Sequence, residues 1–257
     1  MRLIITADVA TWAANHLIHY IHNHTPTAQR PLVLGLPTGE TPIGLYRHLV
    51  KAYRARQVSF RHVITFNLDE YVGLPPNHPA SYHAYMARHF FAHVDIPPAQ
   101  VYMLNGQAAD LALECDRFEA ALQAVGGLDL CLGGVGRNGH VGFNEPGSWL
   151  GSRTRLVSLA ESTRLANARF FTQGLPAVPT AALTLGLGPI LAARTVMILA
   201  QGSSKAEAIR HVLEAEVDPA WPISALQKHP QAIFVCDQDA ALNLQAETLA
   251  RLHDGHD

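Results

Sequence analysis

The 257-residue chain alternates short apolar runs with longer segments whose apolar residues recur every three or four positions, and this alternation constrains the fold more than any other feature. Leu3 to Ile5 opens as a strand. Asp8 is placed to cap a helix in which Val9, Trp12, Ala13, Leu17 and Ile21 share one face. Leu32 to Gly35 is the next strand, Pro42 suits the first turn of a helix carrying Ile43, Tyr46, Val50 and Tyr53, and Val63 to Leu68 is again a buried strand. The rhythm continues with a helix around Ala109 to Val125 and strands at Leu128 to Leu132, Ala182 to Leu185, Val196 to Ala200 and Ile233 to Val235. The expectation is an α/β fold, a mostly parallel, doubly wound sheet with helices on both faces, in one domain over residues 1–257. In such sheets ligands collect at the carboxyl ends of the strands, so the loops that leave strands carry the functional question.

Composition narrows the partners. A chain 48% hydrophobic and 16% charged has enough apolar material for one large core. Its formal charge of -2 gives no broad basic field for nucleic acid or an anionic membrane, so any phosphate has to be gripped locally. Cys115, Cys131 and Cys236 are odd in number, far apart and in apolar surroundings, which suits a reducing cytoplasm rather than a disulfide framework. The run Leu3 to Ile5 is too short for a signal peptide, and no stretch approaches the roughly 20 apolar residues of a membrane span. Neither secretion nor membrane insertion is expected. The histidines His16, His19, His22 and His24, and the pair His89 and His93, come without an evident set of acid or cysteine ligands, so no metal site is expected.

Three loops follow strands. Gly35 to Pro42, with Thr38, Gly39, Glu40 and Thr41, offers hydroxyls, a flexible backbone and the free amides of a helix start, a suitable phosphate cradle. It lacks the Gly-Lys-Thr ending of a Walker loop, and it also suits an ordinary strand-to-helix turn. Glu40 would repel a phosphate there unless its side chain pointed away, leaving the work to backbone amides. The second loop puts two acids, Asp69 and Glu70, at the end of a buried strand, where one could serve as a general base or both could cap or be solvated. The third, Gly133 to Gly147, is dense in glycine and sets Asn138, His140 and Glu145 at a spacing that lets a histidine and its orienting partners converge. Residues 158–180, weakly patterned and holding Arg164 and Arg169, are a candidate mobile lid.

These residues carry a family resemblance. Leu36-Pro37-Thr38-Gly39, the run Phe66 to Leu74 and Gly139-His140 through Phe143-Asn144-Glu145-Pro146 resemble the glucosamine-6-phosphate deaminase family, and Ser152 to Arg155, Asn167 to Phe171, Gly202 to Lys205 and His229-Pro230 extend the match along nearly the whole chain. The resemblance implies a modified Rossmann-like fold and no metal or organic cofactor. It implies conversion of glucosamine 6-phosphate to fructose 6-phosphate and ammonia in amino-sugar catabolism, a reaction expected to count as a hydrolase activity. By position, Asp69 matches the base of the proton shift, His140 the group that opens the sugar ring, Asn138 and Glu145 its supports, and Thr38 to Thr41, Arg169 and Lys205 the grip on the phosphate.

Some bacterial members of that family are hexamers activated at an intersubunit phosphate site. Here Ser148, Ser152 and Arg155 are kept, but Val157 stands where a lysine would help and the tail ends early at Asp257, so weak or absent activation is expected and homo-oligomerisation stays open. Two rival functions remain. A sugar-phosphate lactonase of the same broad fold would carry a Ser-Leu-Phe-Pro type run where this chain has Phe143-Asn144-Glu145-Pro146. A non-catalytic sugar-phosphate sensor would need an attached DNA-binding module, for which the chain has no spare length.

Overall fold

The structure is a computed structural model that describes residues 1–253; of the expected single domain, residues 254–257, ending at Asp257, lie outside the described residues. The first half of the chain runs β1 (Arg2–Ile5), α1 (Val9–His24), β2 (Leu32–Leu36), α2 (Thr41–Arg54), β3 (Val63–Asn67), β4 (Asp69–Tyr71), α3 (Tyr82–His89), β5 (Val101–Tyr102), α4 (Leu111–Ala124) and β6 (Leu130–Gly134). The second half runs β7 (Arg155–Ser158), α5 (Glu161–Asn167), β8 (Ala181–Thr184), α6 (Leu187–Leu191), β9 (Thr195–Ala200), α7 (Ala206–Glu214), β10 (Ala232–Cys236) and α8 (Ala246–His253). Asp8 caps α1 through its side chain, 2.9 Å from the Thr11 amide, as its position before the apolar stripe implies.

Seven strands form one sheet in the order β1-β10-β9-β6-β2-β3-β5, every pair parallel. Successive strand residues point to opposite faces, and each face has its own core. Leu32, Leu34 and Leu36 of β2 pack with α1 and α2 through Val9, Leu17, Leu45 and Leu49. Val33 of β2 and Cys131 of β6 face the other way, toward Phe118 and Leu122 of α4 and Ile209 and Val212 of α7. This is the doubly wound arrangement that the sequence rhythm implies. From β2 the chain builds outward through β3 and β5, then returns to the opposite side of β2 for β6, β9 and β10. The loops after β2 and β6 therefore part at a topological switch point, where such sheets leave a crevice.

Two expectations need correction. The strand placed at Leu128 to Leu132 lies at Leu130–Gly134, because the Asp129 carboxylate takes the Val33 amide at 2.8 Å and stands in for a ladder bond at that point. The run Ala182 to Leu185 does form a strand, but outside the parallel sheet: β8 lies between β4 and β7 in a three-stranded antiparallel sheet. The chain changes sheets at Leu68, whose amide donates to Leu36 and whose carbonyl accepts from Leu185. Asp69 is thereby delivered as the first residue of β4, just past the carboxyl end of β3.

Candidate active site

A cavity of about 1130 Å³ opens at the switch point, walled by the loops after β2, β3 and β6, by residues 162–170 and by the turn before α7. Nine of the ten residues singled out from sequence line it: Thr38, Gly39, Glu40, Thr41, Asp69, Asn138, His140, Arg169 and Lys205. Glu145 is the exception and stands behind Asn138, to which it is hydrogen-bonded.

At one end the loop 37–42 enters α2, so its amides meet the cavity as a helix start without acceptors behind them. Two tyrosine hydroxyls fix its carbonyls, Tyr46 donating to Pro37 and Tyr85 to Gly39, each at 2.6 Å. Gly39 has φ +101°, a conformation that only glycine adopts readily. Glu40 does not simply point away: its carboxylate lies 3.0 Å from the Arg169 guanidinium. Lys205 lies across the same end. Desolvation, with Arg137 and Arg169 adding to it, lowers its affinity for a proton, while Glu40 opposes the shift. The end thus gathers three cations and one carboxylate around the helix start, a net positive pocket for a small anion.

The two adjacent acids of the second loop part company because neighbouring strand residues face opposite ways. Glu70 turns from the cavity, caps α3 by accepting from the Tyr82 and His83 amides at 3.0 Å, and holds the His83 ring at 2.7 Å. Asp69 faces the cavity, is 6% exposed, and its Oδ1 has no hydrogen-bond partner. Burial first and the Glu70 charge second push its pKa up to about 8. A carboxylate so poorly compensated is a strong proton acceptor.

His140 is held otherwise. Its ring stands over Gly136, where any side chain would collide with the imidazole and displace it from this position. Nδ1 lies 2.7 Å from the Asn138 Oδ1, Asn138 donates its amide to Glu145 at 2.8 Å, and the Glu145 carboxylate is itself 3.6 Å from Nδ1. With the Nδ1 proton directed at Asn138, Nε2 is left as the free acceptor. Burial lowers the histidine's pKa and Lys205 adds to this, while Glu145 opposes it, so the ring favours the neutral form.

Over the site runs the segment 158–180. Leu159, Phe171 and Val178 pack with Tyr71, Phe143 and Ala182 in a small cluster of their own. Asn167 donates to the Tyr71 hydroxyl at 2.8 Å, and Arg164 fastens the segment internally through the Leu175 and Val178 carbonyls.

Residues 6–235 match the model of the glucosamine-6-phosphate isomerases/6-phosphogluconolactonase family. The chain belongs to that family. A glucosamine-6-phosphate deaminase of Porphyromonas gingivalis is 54% identical over 251 residues, covering 96% of this chain and 95% of the relative; one of Serratia proteamaculans is 50% identical over 252 residues, covering 97% and 95%. The solved structure of a monomeric glucosamine-6-phosphate deaminase superposes with a TM-score of 0.89 at 41% identity, covering 94% of this chain and 99% of that one. A 6-phosphogluconolactonase from Trypanosoma cruzi shares the fold, with a TM-score of 0.77 and 95% and 97% coverage, at only 19% identity. The lactonase branch of the family is thus a distant relative of this chain, and the deaminase branch a near one.

For this glucosamine-6-phosphate isomerase/6-phosphogluconolactonase family member, the sequence reading left out several cavity residues. Tyr82 lines the wall beside Asp69, and burial, with Tyr71 and Asp69 adding to it, keeps its phenol neutral. Arg137 lines the positive end, where its only advance signal was a cation within a glycine loop. The residues expected to form an activating phosphate site are engaged internally: Arg155 donates to Asn144 at 2.9 Å and Ser148 at 3.1 Å, and the Ser152 hydroxyl accepts from Leu187 at 3.0 Å. Among the described residues, no helix is long and apolar enough to cross a membrane.

Proposed function

We propose that the chain converts glucosamine 6-phosphate into fructose 6-phosphate and ammonia. The observation that carries this reading is the pairing, in one cavity, of a buried carboxylate of raised pKa with a neutral histidine whose Nε2 is free. Phosphate binds at the positive end, to the amides of residues 38–41, Arg169, Lys205 and Arg137. Arg169 can meet it with two N–H groups, whereas Lys205 acts as a point charge. Held there, the sugar presents its first two carbons to Asp69 and His140, and remote binding is spent on position.

His140 takes the anomeric hydroxyl proton at Nε2 and returns a proton to the ring oxygen as the C1–O5 bond breaks, giving the open-chain aldehyde. Asp69 then removes the C2 proton; the electron pair forms a C1–C2 double bond, the former aldehyde oxygen takes a proton from the substrate's own ammonium group, and an enolamine results. Returning the proton to C1 moves the double bond to C2 and nitrogen, giving the 2-imine of fructose 6-phosphate. Water adds at C2 and ammonia leaves. Water enters only after the isomerisation, so the chain is an isomerase as well as a deaminase, and the hydrolase label describes the last step alone. Residues 158–180 act as the lid that excludes solvent while the enolamine exists.

The test is incubation with glucosamine 6-phosphate while ammonia and fructose 6-phosphate are followed together. Equal release of both is expected. Release of neither, with hydrolysis of 6-phosphogluconolactone instead, would move the chain to the lactonase reaction; neither activity would leave a binding protein.

A further inference from the structure

The lid helix α5 touches the rest of the molecule in an unusual way. Of its seven residues only Thr163 is buried, and its hydroxyl faces a carboxylate. Its hydroxyl donates to Oε1 of Glu145 at 2.5 Å, while Oε2 of the same carboxylate accepts from Asn138 at 2.8 Å. One carboxylate therefore holds the lid on one side and, through Asn138, the orientation of His140 on the other.

A carboxylate seeks several donors, and when it loses one it turns to the nearest that remains. For Glu145 that donor is Nδ1 of His140, already 3.6 Å away. With α5 docked, the charge of Glu145 is shared between Thr163 and Asn138. With α5 withdrawn, the charge is free to pair directly with the imidazole, favouring its cationic form and pulling Nδ1 from the Asn138 carbonyl. A cationic ring cannot accept the anomeric proton. We propose that Thr163 is a positioning residue that makes His140 competent for ring opening only when the lid is docked. The proposal rests on the role given to His140 above.

The charged groups acting on His140 are Glu145 from its own loop and Lys205 from the turn before α7. The Gly139 backbone beside it packs on Trp221, which is uncharged. Thr163 is uncharged as well, so replacing it changes no formal charge near the ring. Its influence has to pass through Glu145.

Two variants test this, Thr163→Val, which keeps shape without the donor, and Thr163→Ser, which keeps the donor without the methyl. The first measurement is the NMR titration of the His140 ring, which needs no turnover. Thr163→Val should raise its midpoint and Thr163→Ser should restore it; midpoints that overlay the wild type overturn the proposal whatever the reaction is. The second is the pH profile of ammonia release. Thr163→Val should lower kcat roughly 10-fold, the scale of one hydrogen bond to a charged group, and move the acidic limb of the profile to higher pH, with KM little changed. A change in KM alone, or a loss that Thr163→Ser does not rescue, would make Thr163 a structural residue of the lid. A wild-type protein that releases no ammonia would sink the proposed reaction instead, and leave the titration to judge the coupling by itself.

Discussion

Asp69 and His140 face the same cavity, yet the first stands on a strand with a carboxylate oxygen that nothing bonds, and the second stands in a glycine loop with Nδ1 bonded to Asn138 and, through it, to Glu145 and Thr163. The contrast matches two kinds of work. A group that must remove a proton from carbon needs basicity, and burial without compensation supplies it by raising the pKa. A group that shuttles a proton between two oxygens needs a fixed tautomer and a free lone pair, and a chain of hydrogen bonds supplies those. Desolvation acts on both, and at His140 connectivity fixes the tautomer as well. Changes at Asp69 should therefore act on rate and pH dependence through its own charge, and changes around His140 through geometry and partner charges.

The largest effect is expected at the unpartnered end. Asp69→Asn keeps the shape of the side chain and cannot accept the C2 proton, so exchange of that proton with deuterated solvent should fall by about 10³-fold or more while substrate still binds. Exchange at the wild-type rate would mean that another group is the base.

The same residue should write its pKa into stability. The folded state holds the Asp69 carboxyl at about 8, above the ordinary value of 3.8 for such a group. Between these values the unfolded chain is ionised while the folded chain keeps its proton, so the folded state binds more protons and loses stability as pH rises from about 4 to about 8. Below that window the residue has no such effect, and above it the loss is complete. Asp69→Asn should accordingly stabilise the ligand-free protein by several kcal/mol at pH 8.5, about 5 for a carboxyl moved from 3.8 to about 8, and hardly at all at pH 4. Denaturant midpoints at the two pH values measure this, and a gain equal at both would show that the carboxyl is ionised in the fold as easily as outside it. The same experiment on His140 variants should give no gain at pH 8.5, where the imidazole is neutral in both folded and unfolded states; because burial lowers its pKa, any gain should appear toward acid pH instead.

What was legible beforehand follows the same division. Runs buried on both faces announce a parallel sheet, so β2, β3, β9 and β10 were readable from Leu32, Val63, Val196 and Ile233 onward. The small antiparallel sheet was not, since Asp69-Glu70-Tyr71 is short and polar, and β7 is half exposed with no apolar run to mark it. The glycine loop singled out His140, Asn138 and Glu145 because glycine removes the usual packing reasons for such a sequence, and the fold does link the three side chains. Composition could not separate Asp69 from Glu70: one faces the cavity and the other caps α3, and only strand direction decides which. Thr163, in the polar run Glu161-Ser162-Thr163, looks like any helix start until Glu145 is seen beneath it.

At the connected end, Asn138→Asp should have a smaller effect with two opposed parts. The new carboxylate would sit beside Nδ1 of His140 and favour imidazolium, raising the pKa that burial has lowered and moving the acidic limb of the activity profile upward. It would also lose the amide that donates to Glu145 and put two carboxylates in contact, so the pair would titrate as one unit. A shift of roughly one pH unit is expected, with Asp69-dependent C2 exchange unaltered in enzyme given the open-chain sugar. A profile that overlays the wild type would mean that Glu145 alone sets the charge felt by His140.

The smallest effect should come from the proposed phosphate end, which in the proposed reaction serves both groups equally. Glu40 holds Arg169 at 3.0 Å, and both side chains are more than half exposed. A contact of this kind is worth little in water, typically under about 1 kcal/mol. In the proposed reaction it nevertheless occupies a guanidinium that the substrate phosphate would engage, and it places a negative charge in the proposed cradle. Glu40→Gln should remove that competitor, keep the loop amides, and lower KM about 2- to 5-fold with kcat and both pH limbs unchanged. Inorganic phosphate, as a competitive inhibitor, should bind more tightly by the same factor, because the effect belongs to the anion and not to the sugar. The opposite outcome has a physical meaning of its own: if Glu40 holds Arg169 in the orientation that phosphate needs, its removal lets the guanidinium wander and KM rises. A rise in KM would therefore refute competition and make Glu40 a preorganising partner, while any accompanying shift of a pH limb would show that the phosphate end does not act on Asp69 and His140 alike.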